Sequence, residues 1–250
     1  MSPAPDDGTI LAARRAVEDC RDRLGPEILA YKGEFVNSRL GSIRSAPIYF
    51  LGLDPGPIPD FPNLEARTVG QDIEALLAGA PHKYRAERWG RGRRSDLQDQ
   101  VPETIRRILT LLDGRSVDLD EAYEIPISNL CFKRYWNEIA GSKAQYIDLA
   151  RRCWAAHLRL LDVIRPVAIV ALGTGQRTSA AAFFEAQARE DGLFSQTRVF
   201  RAGAARKYEI AVQGTPTPVL CFPHFSRGRG IPPAEVLEWA VGQVAPSTGG

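Results

Sequence analysis

The chain has 250 residues, 44% hydrophobic and 25% charged, with a formal net charge of +2. That length suits one sizeable α/β domain, and that composition argues against extended disorder. Four scattered cysteines without a Cys-x-x-Cys pair argue against a zinc motif or a disulfide framework and suggest a reducing, cytoplasmic setting, and no apolar run approaches a membrane span.

The first residues, 2–7, are acidic and Pro-rich, without the basic region and apolar core of a signal peptide. Residues 9–24 carry Ile10, Leu11, Ala16 and Val17 at helical spacing, and Gly25-Pro26 ends that helix. Residues 48–53, Ile-Tyr-Phe-Leu-Gly-Leu, are apolar on both faces, as a central parallel strand requires, and run into Asp54-Pro55-Gly56. Pro55 fixes its own φ and pushes Asp54 towards an extended conformation, so that carboxylate is held rather than mobile.

A long stretch, 57–100, forms an insert with a short helix near 71–77 and a basic segment from His82 to Arg94, holding six basic residues against one acid. Residues 102–112 read as a helix with Pro102 in its first turn. A short strand at 124–130 follows, then a long amphipathic helix over 142–164, closed by Arg165-Pro166. Residues 167–172 are a fully apolar strand turning through Gly173-Thr174-Gly175 into a helix over 176–189. Further strands are expected at 209–212 and 219–222, and a last helix behind Pro232-Pro233. One domain over 1–250 is expected, with 1–8 and 245–250 frayed. Strands alternating with helices indicate an α/β fold, a doubly wound, mostly parallel sheet.

The strands end in Asp54, in Asn129, in Gly173-Thr174-Gly175, and in Pro223-His224-Phe225-Ser226-Arg227-Gly228-Arg229-Gly230. In open α/β sheets ligands bind outside the carboxyl ends of the strands. A carboxylate, an amide, an imidazole and a basic, Gly-rich loop are thus expected on one rim, a candidate catalytic constellation.

Gly52-Leu53-Asp54-Pro55-Gly56 resembles the first motif of the uracil-DNA glycosylase superfamily, and His224-Phe225-Ser226 resembles its second, usually His-Pro-Ser. Ser128-Asn129-Leu130 resembles the strand that presents a base-reading Asn, and Pro166 to Gly173 the family's Pro, apolar strand and Leu-Gly. The motifs occur in the family's order over residues 48–230. The resemblance implies a three-layer α/β/α fold with a four-stranded, mostly parallel sheet. It also implies a monofunctional DNA glycosylase, with water as nucleophile and neither metal nor cofactor. Asp54 would orient water and stabilise the sugar cation, and His224 would stabilise the departing base anion. Asn129 would read the base edge, with Gly52, Gly56 and Phe61 lining its pocket. Gly56 stands where the uracil-specific branch has Tyr and implies a roomier pocket; uracil, a deaminated purine and a bulkier modified pyrimidine all remain as substrates. Phe225 departs from the usual Pro.

The expected partner is DNA, met by a monomer with no membrane contact. Flipping a nucleotide out of the stack leaves a gap that Arg227 or Arg229 would fill, with Ser226 beside them. Arg91, Arg93 and Arg94, interleaved with Tyr84 and Trp89, would track phosphates. His82 opens this basic segment on the DNA side, and His157 is read as a packed or half-exposed helix residue. Two alternatives stand beside the enzyme: a glycosylase-fold protein that binds nucleic acid or a free base without cleaving it, and a nucleotide-binding α/β protein using the turn at Gly173.

Overall fold

In the computed structural model, residues 7–53, 55, 67–89, 93–134, 142–201, 204–225 and 230–244 are described. The strands are β1 (Ile48–Gly52), β2 (Ile127–Asn129), β3 (Ala168–Leu172), β4 (Arg198–Phe200), β5 (Ala205–Val212) and β6 (Thr215–Phe222). They form a six-stranded sheet in the order β2-β1-β3-β6-β5-β4. Pairings among β2, β1, β3 and β6 are parallel, and β5 and β4 extend the sheet antiparallel. The sheet is therefore mostly parallel but has six strands, not four.

The additional strands follow from local chemistry. Gln213 and Gly214 both take positive φ, 52° and 77°, the turn that folds β5 back onto β6 as a tight hairpin. Pro216 and Pro218 sit within β6, where β5 is the only neighbour, because β3 pairs only from Val219 onward. β4 is short and largely exposed, so it carries no apolar signature.

Alternate residues of the buried strands feed two cores. Tyr49, Leu51, Ile169 and Ala171 pack with helices α1 (Asp7–Ala30), α2 (Val69–Leu77), α6 (Lys143–Ile164) and α7 (Ala180–Glu190). Ile48, Phe50, Val170 and Leu220 pack with α4 (Asp96–Asp113), α5 (Leu119–Tyr123) and α8 (Ala234–Gly242), and with Tyr84 of the single turn α3 (Lys83–Ala86). Helices thus cover both faces of the sheet, consistent with three layers.

Three helix starts or ends differ from expectation. α7 begins at Ala180 behind its cap Ser179 rather than at 176. α1 is broken rather than ended at Gly25 (φ 69°), and Pro26 starts the second piece, where its missing N–H is harmless. Its first turn includes Asp7 and Gly8, two residues expected to fray. α4 begins at Asp96 behind a Ser95–Gln98 capping box, leaving Pro102 inside the helix.

The free edge of β2 is covered. Val36 bridges Ser128 antiparallel, the Asn37 N–H donates to the Ile127 carbonyl at 2.8 Å, and the Ser128 hydroxyl donates to the Phe35 carbonyl at 2.5 Å.

Candidate functional site

Because β1, β2, β3 and β6 are parallel and in register, their carboxyl ends open on one rim. The β1–β2 ladder continues past the strands: the Leu130 N–H donates to the Gly52 carbonyl at 2.8 Å, and the Cys131 N–H to the Leu53 carbonyl at 3.0 Å. Gly52 and Asn129 are direct partners. β6 lies two strands from β1, roughly 10 Å at ordinary strand spacing.

The Asn129 side chain sits against the end of β1. A Cβ on Gly52 would lie 2.5 Å from its Oδ1, so only glycine leaves room for the amide across the end of β1. Asn129 itself is buried. Behind the following residue stands His157 of α6, fully enclosed. The Leu130 carbonyl only accepts, so His157 Nε2–H donates to it at 3.3 Å, and Nδ1 accepts from the Tyr49 hydroxyl at 2.8 Å. Burial pushes the His157 pKa down to about 4, which keeps the ring neutral and this tautomer in place. Of the two expectations for His157, the packed one holds.

At the end of β6, His224 is half-buried and Phe225 is buried in the core beneath the α4–α8 layer. Phe225 thus pins the chain just past β6 by apolar packing. At the end of β3, Gly173 (φ 116°) donates its N–H to the Phe222 carbonyl and accepts from Ala181 N–H at 3.0 Å. A Cβ there would sit 3.1 Å from that of Ser179, whose hydroxyl caps α7. This Gly-rich turn ties β3 to β6 and to a helix start. Asp54, Gly56, Phe61, Arg91, Ser226, Arg227 and Arg229 lie outside the described residues.

The basic segment is largely committed to the protein itself. Lys83 is buried and bonds Asp72 at 2.8 Å, with Glu34 at 3.7 Å; Glu34 also pairs with Arg134. Burial works to raise the Glu34 carboxyl, but Lys83 and Arg134 outweigh it and hold it low. Arg85 pairs with Asp120 at 2.5 Å and lies 4.2 Å from the centre of the Tyr123 ring. Arg94 donates to the Tyr84 and Gln98 carbonyls (both 2.9 Å), to Asp99 at 2.7 Å and to the Tyr123 hydroxyl at 3.2 Å. Arg93 is exposed. Tyr84 is only 3% exposed and packs edge-on against the partly buried Trp89, so Tyr84 is a core residue rather than a stacking platform. His82 is buried too, rather than exposed for contact with a partner. Burial, with Arg85 and Arg39 nearby, pushes its pKa down to about 3, and its ring nitrogens have no partner among the described residues.

The seat beneath Leu130 was beyond sequence reading, because His157, Tyr49 and Leu130 meet only through the sheet and α6. The signal for Gly52 was its place at the end of an apolar strand. The four cysteines are free and buried, and among the described residues no group of three or more His, Cys, Asp and Glu is placed to hold a metal. None of the described helices is long and apolar enough to cross a membrane. The sequence matches no protein-family model and no curated protein.

Proposed function

We propose that this chain is a monofunctional DNA glycosylase of the uracil-DNA glycosylase type, hydrolysing the N-glycosidic bond of a damaged or deaminated base flipped from DNA. The observation that carries the reading is the Asn129 amide, seated against a side-chain-free Gly52 on the rim shared by four parallel strand ends. A buried amide offers a donor and an acceptor to a base edge, and a base that leaves either unpaired is rejected. In this reading Asp54, just past β1, orients water on the sugar side and stabilises developing positive charge. His224, just past β6, stabilises the negative charge of the leaving base. The rim spacing between β1 and β6, roughly 10 Å, accommodates one base between the two groups. Gly56 and Phe61 line the pocket, and Ser226, Arg227 and Arg229 occupy the gap left in the stack.

The test is incubation with duplex and single-stranded oligonucleotides carrying uracil, hypoxanthine, xanthine or hydroxymethyluracil, scored for abasic sites. Abasic product is expected from at least one, and Asp54→Asn should lower turnover by about 10²–10⁴ with DNA affinity unchanged. Binding without product from any substrate would assign the chain to the non-cleaving alternative. Equal cleavage by the wild type and Asp54→Asn would remove Asp54 from the mechanism.

A further inference from the structure

Asn129 is the last residue of a three-residue strand, so the strand alone gives its side chain little support. The peptide planes that follow it supply the rest. On the sheet side, the Leu130 N–H bonds the Gly52 carbonyl and the Cys131 N–H bonds the Leu53 carbonyl, at 2.8 and 3.0 Å. On the helix side stands a single imidazole. His157 Nε2–H donates to the Leu130 carbonyl at 3.3 Å. The Asn129 carbonyl acts on the same ring in the same sense, each carbonyl favouring a proton there. The plane between Leu130 and Cys131 is thus held at its N–H by β1 and at its C=O by α6.

The ring itself is caged. Its centre lies 4.9 Å from that of Phe132, 5.5 Å from Trp154 and 5.8 Å from Tyr49, and the Tyr49 hydroxyl donates to Nδ1 at 2.8 Å. Tyr49 belongs to β1, so the strand that leaves room for the Asn129 amide at Gly52 also orients the ring. Packing alone does not call for an imidazole here. An apolar ring would fill the space between these aromatics with no polar atoms to strip of water. The hydrogen bonds of His157 go instead to Tyr49 and to the backbone beside Asn129.

We infer that His157 is a positioning residue, which sets the pose of the Asn129 amide at the rim through the Leu130 carbonyl and so helps decide which base edge is accepted. The selection of a base rests on the glycosylase reading; the hold on Asn129 does not.

Two measurements test this on the full chain. The first is the NMR signal of the Asn129 side-chain amide, identified by its loss in Asn129→Ala. His157→Phe, which keeps the packing and removes the bonds, should shift it. The second is excision of the preferred base from the oligonucleotide panel. His157→Phe should lower kcat/KM by about 10–10²-fold, the cost of a misplaced group, with affinity for unmodified duplex unchanged. In an Asn129→Ala background the same change should lose almost nothing more. His157→Gln, whose amide N–H can stand where Nε2–H stands, should restore most of the loss. His157→Asn reaches Tyr49 but stops short of Leu130; it should behave like His157→Phe, and replaces it if that variant does not fold. Ile164→Ala, which loosens the same core two turns along α6, should leave the amide signal in place. An unmoved amide signal in His157→Phe, equal kinetic losses with and without Asn129, or the same shift in Ile164→Ala would each overturn the inference. A wild type that excises nothing while His157→Phe shifts the amide keeps the positioning role and removes the glycosylase reading. Excision with an unmoved amide does the reverse.

Discussion

A methyl group at position 52 would lie 2.5 Å from the Asn129 amide oxygen, far inside van der Waals contact. The backbone there is locked by the β1–β2 ladder, so the amide rather than the strand would move. On the proposed glycosylase reading, Gly52→Ala should therefore lower kcat/KM on the preferred modified base by about 10²-fold, the loss of one or two hydrogen bonds in the transition state. Affinity for unmodified DNA should stay at the wild-type value. Asn129→Ala added to Gly52→Ala should lose little more, since both changes remove the same contact. Additive losses in this double-mutant cycle would separate Gly52 from the amide. The arrangement also explains why one glycine ends an otherwise bulky apolar strand: it is a gap for a neighbour's side chain rather than a hinge.

Among the helices, α4 carries a proline at an interior position, where the i−4 carbonyl loses its donor. That carbonyl belongs to Gln98, and Arg94 donates to it at 2.9 Å. A guanidinium outside the helix thus replaces the missing backbone N–H, while also bonding the Tyr84 carbonyl. Arg94→Ala should lower unfolding free energy by about 2 kcal/mol, measured by denaturant titration. In a Pro102→Ala background the loss should be smaller, because the restored N–H again serves Gln98. An equal loss in both backgrounds would contradict the coupling. This interplay also shows where sequence reading stops. β1, β3 and the later part of β6 were legible as continuous apolar runs, and α6 by its periodicity. β4 was not, because three largely exposed residues at an edge bury too little to leave a pattern. Pro102 was misread as a helix start because its compensation comes from a side chain eight residues earlier. At the site, the strand-end residues Gly52, Asn129 and His224 were legible from the order of strands and turns. The seat under Leu130 was not, since it is made by chain segments that meet only in three dimensions.

At the scale of the whole molecule, the two buried histidines set the response to acid. Their folded pKa values, about 4 for His157 and about 3 for His82, lie below the ordinary 6.5. The unfolded chain therefore binds protons that the folded chain refuses once the pH drops below about 6.5. Stability from this source is fully present above that value. It declines as pH falls towards about 4 for His157 and about 3 for His82, then levels off. Between pH 7 and 5 each contributes a loss of about 2 kcal/mol, roughly 4 kcal/mol together. Glu103, held down at about 2 by Arg106 and Arg107, adds a loss of the same sign at lower pH. Denaturant midpoints should fall steeply between pH 6.5 and 5; a flat profile over that range would mean that the rings are hydrated in the native state. The same enclosure governs sulfur. Burial raises the thiol pKa of Cys20 and of Cys153 to about 12 and that of Cys221 still further, so none is a thiolate at neutral pH in the closed chain. An alkylating reagent therefore meets these side chains only when packing is lost, and its rate of incorporation counts excursions of the core into water.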